Sequence, residues 1–155
     1  MANEIERKFL VCNSKWKSLG HGELFRQGYL SLYPEHTVRV RVAGGKGFLT
    51  IKGKTKGITR SEYEYTIPVT DAVSMLDTLC SGPEIEKMRY RIPHAGKVWE
   101  VDEFLGDNAG LIVAEIELDS EDQKIKLPEW IGEEVSEDPR YYNSNLTRHP
   151  FCKWQ

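Results

Sequence analysis

Cysteine is scarce: Cys12, Cys80 and Cys152 are the three in 155 residues, and no two form a CxxC pair. An odd, dispersed set supports neither a disulfide framework nor a zinc site and suits a reducing compartment, so a cytoplasmic protein is expected. Long apolar runs are missing; none approaches the roughly 20 residues that a membrane helix needs. The opening residues, with Glu4 and Glu6, lack the basic-then-apolar layout of a secretion signal. Positive charge is not in excess. The net charge is -3, from 21 Lys and Arg against 24 Asp and Glu, so neither a nucleic acid nor a membrane is expected as a partner. His21, His36, His94 and His149 follow no ligand spacing, and Gly44 to Gly47 is followed by neither a Lys-Ser/Thr pair nor a helix, which excludes a phosphate loop. Repeats, low-complexity tracts and linker-like shifts in composition are absent, and the length suits one domain over residues 1–155.

What the chain has is alternation. In Glu4-Ile5-Glu6-Arg7-Lys8-Phe9-Leu10-Val11 the charges at 4, 6 and 8 share one side of a strand and Ile5 and Phe9 the other. Arg7 breaks the apolar side. Leu24 to Leu32 reads as a second strand, Thr37 to Val42 as a third carrying Arg39 and Arg41, and Phe48 to Lys54 as a fourth carrying Lys52 and Lys54. The glycines at 44, 45 and 47 turn the chain between the last two. Arg60 to Ile67 sets Glu62 and Glu64 opposite Tyr63 and Tyr65. A helix follows, N-capped by Thr70 or Asp71, with Ala72, Val73, Leu76, Leu79 and Cys80 as its apolar stripe and Gly82-Pro83 as its stop. From Ile85 a strand alternates Lys87, Arg89 and Arg91 with apolar residues. Val98 to Phe104 carries Glu100 and Asp102, and Leu111 to Leu118 carries Glu115 and Glu117. A short helix over Ser120 to Ile125, irregular or helical structure over Leu127 to Val135, and a last helix from Arg140 to about Arg148 behind Asp138-Pro139 complete the reading.

Seven of the eight strands carry like charges at i and i+2, and the sign is segregated: acid in the first, fifth, seventh and eighth, base in the third, fourth and sixth. The plain explanation is a half-solvated sheet whose exposed ion pairs contribute about 0–1 kcal/mol each. A solvated face would mix in Ser, Thr, Gln and Asn, however, and like neighbours on one strand repel. Eight strands are about the number that closes a small barrel. With the charges inward, the barrel becomes a polar tunnel whose apolar face lies outward under helices, and the fold class is α+β. The inward set has eight bases (Lys8, Arg39, Arg41, Lys52, Lys54, Lys87, Arg89, Arg91) and eight acids (Glu4, Glu6, Glu62, Glu64, Glu100, Asp102, Glu115, Glu117). Balanced but separate clusters suit a composite ligand, an oligophosphate carrying Mg2+ or Mn2+, with carboxylates on the metal and Arg and Lys on phosphoryl oxygens.

Those residues carry a resemblance. Glu4-Ile5-Glu6-Arg7-Lys8 is similar to the ExExK signature of the CYTH superfamily, the triphosphate tunnel metalloenzymes, and the likeness extends through Gln27-Gly28-Tyr29-Leu30, Arg39 and Arg41, Leu49-Thr50-Ile51-Lys52, Arg60-Ser61-Glu62-Tyr63-Glu64, Glu86 to Tyr90, Glu100 to Phe104 and Glu115-Ile116-Glu117. The resemblance implies a closed eight-stranded antiparallel β-barrel with helices outside and a C-terminal plug helix, dependence on Mg2+ or Mn2+, and reaction at a triphosphate. By position, Glu4, Glu6, Glu115 and Glu117 resemble the metal ligands, supplemented by Glu62 and Glu64. Lys8, Arg39, Arg41, Lys52, Lys87 and Arg89 resemble the phosphate-holding bases. Alternation adds Asp102 to the metal set, Lys54 and Arg91 to the phosphate set, and Glu100 to the inward acids. Lys8, Glu4 and Glu6 are the candidate catalytic groups. The compact bacterial inorganic triphosphatases are the best fit within the superfamily; a class IV adenylyl cyclase, a thiamine triphosphatase and a non-catalytic polyphosphate or nucleotide sensor are the alternatives. Expected partners are a small-molecule triphosphate or nucleotide, with a homodimer left open.

Overall fold

Strands with one charged and one apolar side must hide the apolar side, and a sheet that closes on itself does so by turning it outward under other elements. The computed structural model describes residues 3–154; Met1, Ala2 and Gln155, at the edges of the expected 1–155 domain, lie outside the described residues. The described elements run β1 (Asn3–Val11), β2 (Gly22–Tyr33), β3 (His36–Ala43), β4 (Lys46–Gly53), β5 (Thr59–Ile67), α1 (Val69–Thr78), β6 (Ser81–His94), β7 (Lys97–Phe104), β8 (Ile112–Glu117), β9 (Ile131–Glu134) and α2 (Asn143–Arg148).

The sheet order is β5-β4-β3-β2-β6-β7-β8-β1, and an antiparallel β5–β1 pairing closes the ring. This is the closed eight-stranded antiparallel barrel with outer helices. The short β9 is a ninth strand laid on the same edge of β1 that β5 uses: β5 takes residues 3–5 of β1, and β9 pairs at Phe9 and Val11. The Ala43–Lys46 hairpin turns on Gly44 and Gly45, with φ of 57° and 75°, the left-handed pair that a two-residue turn between twisted strands requires.

Two apolar clusters cover the barrel's outside and a third fills one end of its inside. Phe9, Trp99, Ala114 and Ile116 pack outside with Trp16 and Trp130 from the segments after β1 and before β9. Ile85, Phe104 and Val113 share the inward strand faces of Lys87, Asp102 and Glu115 and pack with Tyr141 and Leu146 of the C-terminal segment, which closes that end. Val40 packs under Ala72 and Leu76 of α1. No described helix is long and apolar enough to cross a membrane.

Several boundaries differ from the sequence reading. The N-cap of α1 is Pro68, and Thr70 and Asp71 belong to its first turn, where the Asp71 carboxylate faces the positive end of the helix dipole. The helix ends at Thr78, so Leu79 leaves the apolar stripe and is exposed. Gly82-Pro83 does not separate helix from strand; β6 already runs from Ser81, with Gly82 at a φ of 74° where the register with β2 shifts. Residues 120–125 form no helix, because side chains take the backbone and hydroxyl partners: Asp119 N donates to Gln123 Oε1 at 2.6 Å and Ser120 Oγ to Asp122 at 2.8 Å. The expected last helix is broken in two. Asp138 caps a short turn over Pro139–Tyr141 by accepting from Arg140 N, Tyr142 is extended, and α2 then starts at Asn143.

Candidate functional site

Closure converts strand-by-strand charge into two facing walls. Going round the ring, the strands bearing inward acids are neighbours (β5, β1, β8, β7), and so are those of the basic wall (β6, β2, β3, β4). They enclose a cavity of about 230 Å3 lined by Glu4, Glu6, Lys8, Arg39, Arg41, Lys52, Glu62, Glu64, Lys87, Arg89, Arg91, Glu100, Glu115 and Glu117, joined by Arg60 and by polar residues of other segments. Seven lining carboxylates thus face eight lining cations.

Register explains the local pairing. Lys52 lies opposite Glu62, and its Nζ reaches Glu62 at 3.3 Å and Glu4 at 3.1 Å. Lys8 lies opposite Glu115; its Nζ is 3.4 Å from that carboxylate and 3.0 Å from Glu6. Burial alone would depress the Lys8 ammonium, but Glu115 and Glu6 raise it above its ordinary value. Burial alone would raise Glu6, and Lys8 and Lys52 instead hold it below the usual range. Glu117 stands directly opposite Glu6, and among the described residues it makes no ion pair. Burial raises its carboxyl, and Glu4, Glu62, Glu6 and Glu100 raise it further. This is the uncompensated end of the acidic wall.

On the basic wall, Arg39 Nη2 donates to Thr50 Oγ1 at 3.3 Å and lies 3.6 Å from Glu64, while its Nε is buried with no partner. A buried donor left unpaired costs about 1–3 kcal/mol, so Arg39 is incomplete as it stands. Arg41 donates Nε to Gln27 Oε1 at 2.9 Å; burial, with Arg39 and Arg89 nearby, brings its guanidinium down to about 9. Arg91 stands at the rim, where its side chain is half exposed and pairs with Glu100 at 3.4 Å.

Two expected residues are not brought to the cavity wall. β4 ends at Gly53, so the alternation stops one residue short of Lys54, which is exposed and lines nothing. Asp102 does point inward, but it lies beneath the wall with both oxygens taken: Arg89 donates to it at 2.7 and 2.9 Å, and Lys87 Nζ lies at 2.7 Å. Burial alone would raise Asp102; Arg89 and Lys87 hold it down at about 2. Its geometry is that of a counter-charge for two cations rather than a free ligand.

Other lining residues escaped the sequence reading. Arg60 shares the face of Glu62 at i, i+2, a signal that was present. Thr37 is the residue at i−2 from Arg39 on β3. Ser136, Tyr142, Asn143 and Ser144 come from the C-terminal segment and carry no periodic signal. Tyr29 lines the cavity and packs in the core, whereas Tyr33 is exposed.

The donor set for a metal is chemically right, since carboxylates are hard oxygen ligands for small divalent ions. Among the described residues no three acidic, histidine or cysteine side chains already converge on one point. Lys8 pairs with Glu6 and Glu115, and Lys52 with Glu4 and Glu62, so a cation entering there competes with two ammonium groups.

Residues 2–148 match the CYTH domain. The chain is 54% identical over 151 residues to the inorganic triphosphatase of Acetivibrio thermocellus, covering 97% of each, and 41% identical over 148 residues to that of Nitrosomonas europaea, covering 92% of this chain and 95% of that one. A solved structure described as the inorganic triphosphatase NE1496 superposes with a TM-score of 0.67 at 38% identity, over 92% of this chain and 96% of that one. The sorted tunnel charges and these likenesses agree, and the chain belongs to the CYTH family.

Proposed function

We propose that the protein is a divalent-metal-dependent hydrolase of inorganic triphosphate. The observation that carries this reading is the opposition of an acidic and a basic wall across one cavity. A bare polyanion would call for base alone and a bare cation for acid alone. A metal–triphosphate complex satisfies both walls and releases the lysines now held by carboxylates. The unpartnered Arg39 Nε and the mutually repelling carboxylates around Glu117 are the two ends such a complex would complete.

In this reading Glu4, Glu6, Glu115 and Glu117, with Glu62 and Glu64, hold Mg2+ or Mn2+. When bound, the ion neutralises phosphate charge and acidifies water. Arg39, Arg41, Lys52, Lys87 and Arg89 grip phosphoryl oxygens, with Arg91 at the rim, and Lys8 stands inside the acidic wall where it can meet the reacting phosphoryl group. Water adds to phosphorus, a P–O–P bridge breaks, and triphosphate becomes pyrophosphate and phosphate; fixed cations facing the transferring group stabilise its charge. Tyr29, Tyr142 and Ile58 are the few large apolar groups in a lining that is otherwise charged, small or polar. This favours the inorganic substrate over ATP or thiamine triphosphate.

Phosphate release from tripolyphosphate, ATP and thiamine triphosphate, each with Mg2+ or Mn2+, tests the proposal. Rapid release from tripolyphosphate is expected. Cyclic AMP from ATP would assign a cyclase, and binding without release would reduce the protein to a sensor.

A further inference from the structure

The C-terminal segment does more than close one end of the barrel. Asn143, the first residue of α2, accepts two hydrogen bonds on its Oδ1: from Lys87 Nζ at 2.8 Å and from Gln27 Nε2 at 2.9 Å. Gln27, fully buried on β2, accepts from Arg41 Nε at 2.9 Å. Lysine and arginine can only donate, so each amide orientation is dictated by its cation: Arg41 fixes the Gln27 oxygen, which turns Gln27 nitrogen toward Asn143, and Lys87 demands oxygen from Asn143 in any case. The chain Arg41–Gln27–Asn143–Lys87 therefore has one self-consistent arrangement.

We infer that Asn143 and Gln27 form a neutral amide bridge that positions two phosphate-holding cations, Arg41 and Lys87, without cancelling their charge. This rests on the triphosphate reading of the cavity. A carboxylate in the same place would also accept from both, but would neutralise one cation, as Asp102 does behind the wall. An ammonium has three N–H donors. Burial pulls the Lys87 ammonium down to about 7 against the pull of Asp102; in its charged form it gives two N–H groups to Asp102 and Asn143 and keeps one for an anionic ligand in the cavity it lines. Arg41 gives Nε to Gln27 and keeps its terminal nitrogens. Because Asn143 belongs to α2, docking of the C-terminal segment and the grip on substrate are a single event. Both amides are positioning residues, acting through the cations.

The test is a double-mutant cycle on the full chain with tripolyphosphate and Mg2+, using Asn143→Ala, Gln27→Ala and the pair, with KM, kcat and Tm measured for each. Each single substitution is expected to raise KM about fivefold or more, with a smaller fall in kcat. The pair should be no worse than about twice the more damaging single, since cutting one chain twice removes little more than cutting it once. Asn143→Asp keeps the accepting oxygens and adds a charge; it should keep Tm and still raise KM, and it carries the test if Asn143→Ala unfolds. An unchanged KM in either single variant, fully multiplicative effects in the pair, or a wild-type KM for Asn143→Asp would overturn the inference. Wild-type protein that releases no phosphate, or an Arg41→Ala variant with normal KM, would instead overturn the reading of the cavity.

Discussion

Glu117, a metal ligand in the proposed reading, is costly to the fold. Its carboxyl is raised by burial and by Glu4, Glu62, Glu6 and Glu100, so in its charged form it weakens the ligand-free protein at neutral pH. Glu117→Gln is therefore expected to raise Tm slightly without metal while turnover at ordinary Mg2+ falls by more than about tenfold; a thermal melt paired with a metal titration checks both. Arg39→Ala removes the buried guanidinium whose Nε has no partner and should raise KM for tripolyphosphate by roughly tenfold or more, the scale of a charge-assisted hydrogen bond. Steady-state kinetics would expose an unchanged KM. Asp102 is the opposite case: fully buried, it balances Arg89 and Lys87. Asp102→Asn leaves two buried cations short of a counter-charge and should cost about 3–5 kcal/mol, readable by urea denaturation. Because its folded carboxyl is held at about 2, below its unfolded value, its contribution is complete above about pH 4 and is lost as pH falls toward 2. The variant's stability curve should be flatter over that acid interval.

At the scale of the element, β1 carries the most connections. It pairs with β8 on one edge and divides the other between β5 and β9, while Arg7, which looked misplaced on an apolar face, reaches Glu134 of β9 through two bonds at 2.9 and 2.7 Å. The strands were legible because each has one period and one sign; β9 was not, since four residues cannot show a period and its pairing is with a strand more than 100 residues earlier. The outer face of β5 was read as apolar and covered, yet Tyr63 and Tyr65 are exposed, because the cluster under α1 takes Ile67 at the end of β5 and leaves the rest of that face bare. The His94–Lys97 hairpin offers a test of local rules. Ala95 holds a φ of 52°, beside Gly96 at 80°, in a turn that prefers Asn-Gly. A left-handed alanine costs about 1 kcal/mol, so Ala95→Asn should raise Tm by a few degrees with kcat/KM unchanged. A lower Tm would contradict the turn assignment.

For the molecule as a whole, the two walls predict cooperation between ligands. In the proposed reading the metal competes with lysines for carboxylates, and substrate offers those lysines phosphate oxygens in exchange, so Mg2+ and tripolyphosphate together should raise Tm by more than the sum of either alone, and chelation should abolish both the excess and the turnover. Differential scanning fluorimetry with a non-hydrolysable imido analogue of tripolyphosphate would reveal simple additivity if the walls act independently. The chain by itself determined that its strands are two-faced, where most of them start and stop, and that acid and base are carried on different strands, because side-chain alternation and charge are local properties. It could not determine that acidic strands one, five, seven and eight would become neighbours while three, four and six gathered opposite with strand two. That depends on β2 pairing with β6 and β5 returning to β1, contacts between residues far apart in sequence. The same long-range closure set Asp102 between Arg89 and Lys87 and brought Asn143 to Lys87. Only the tertiary structure decides which like charges are held together, since that depends on which strand edges find each other.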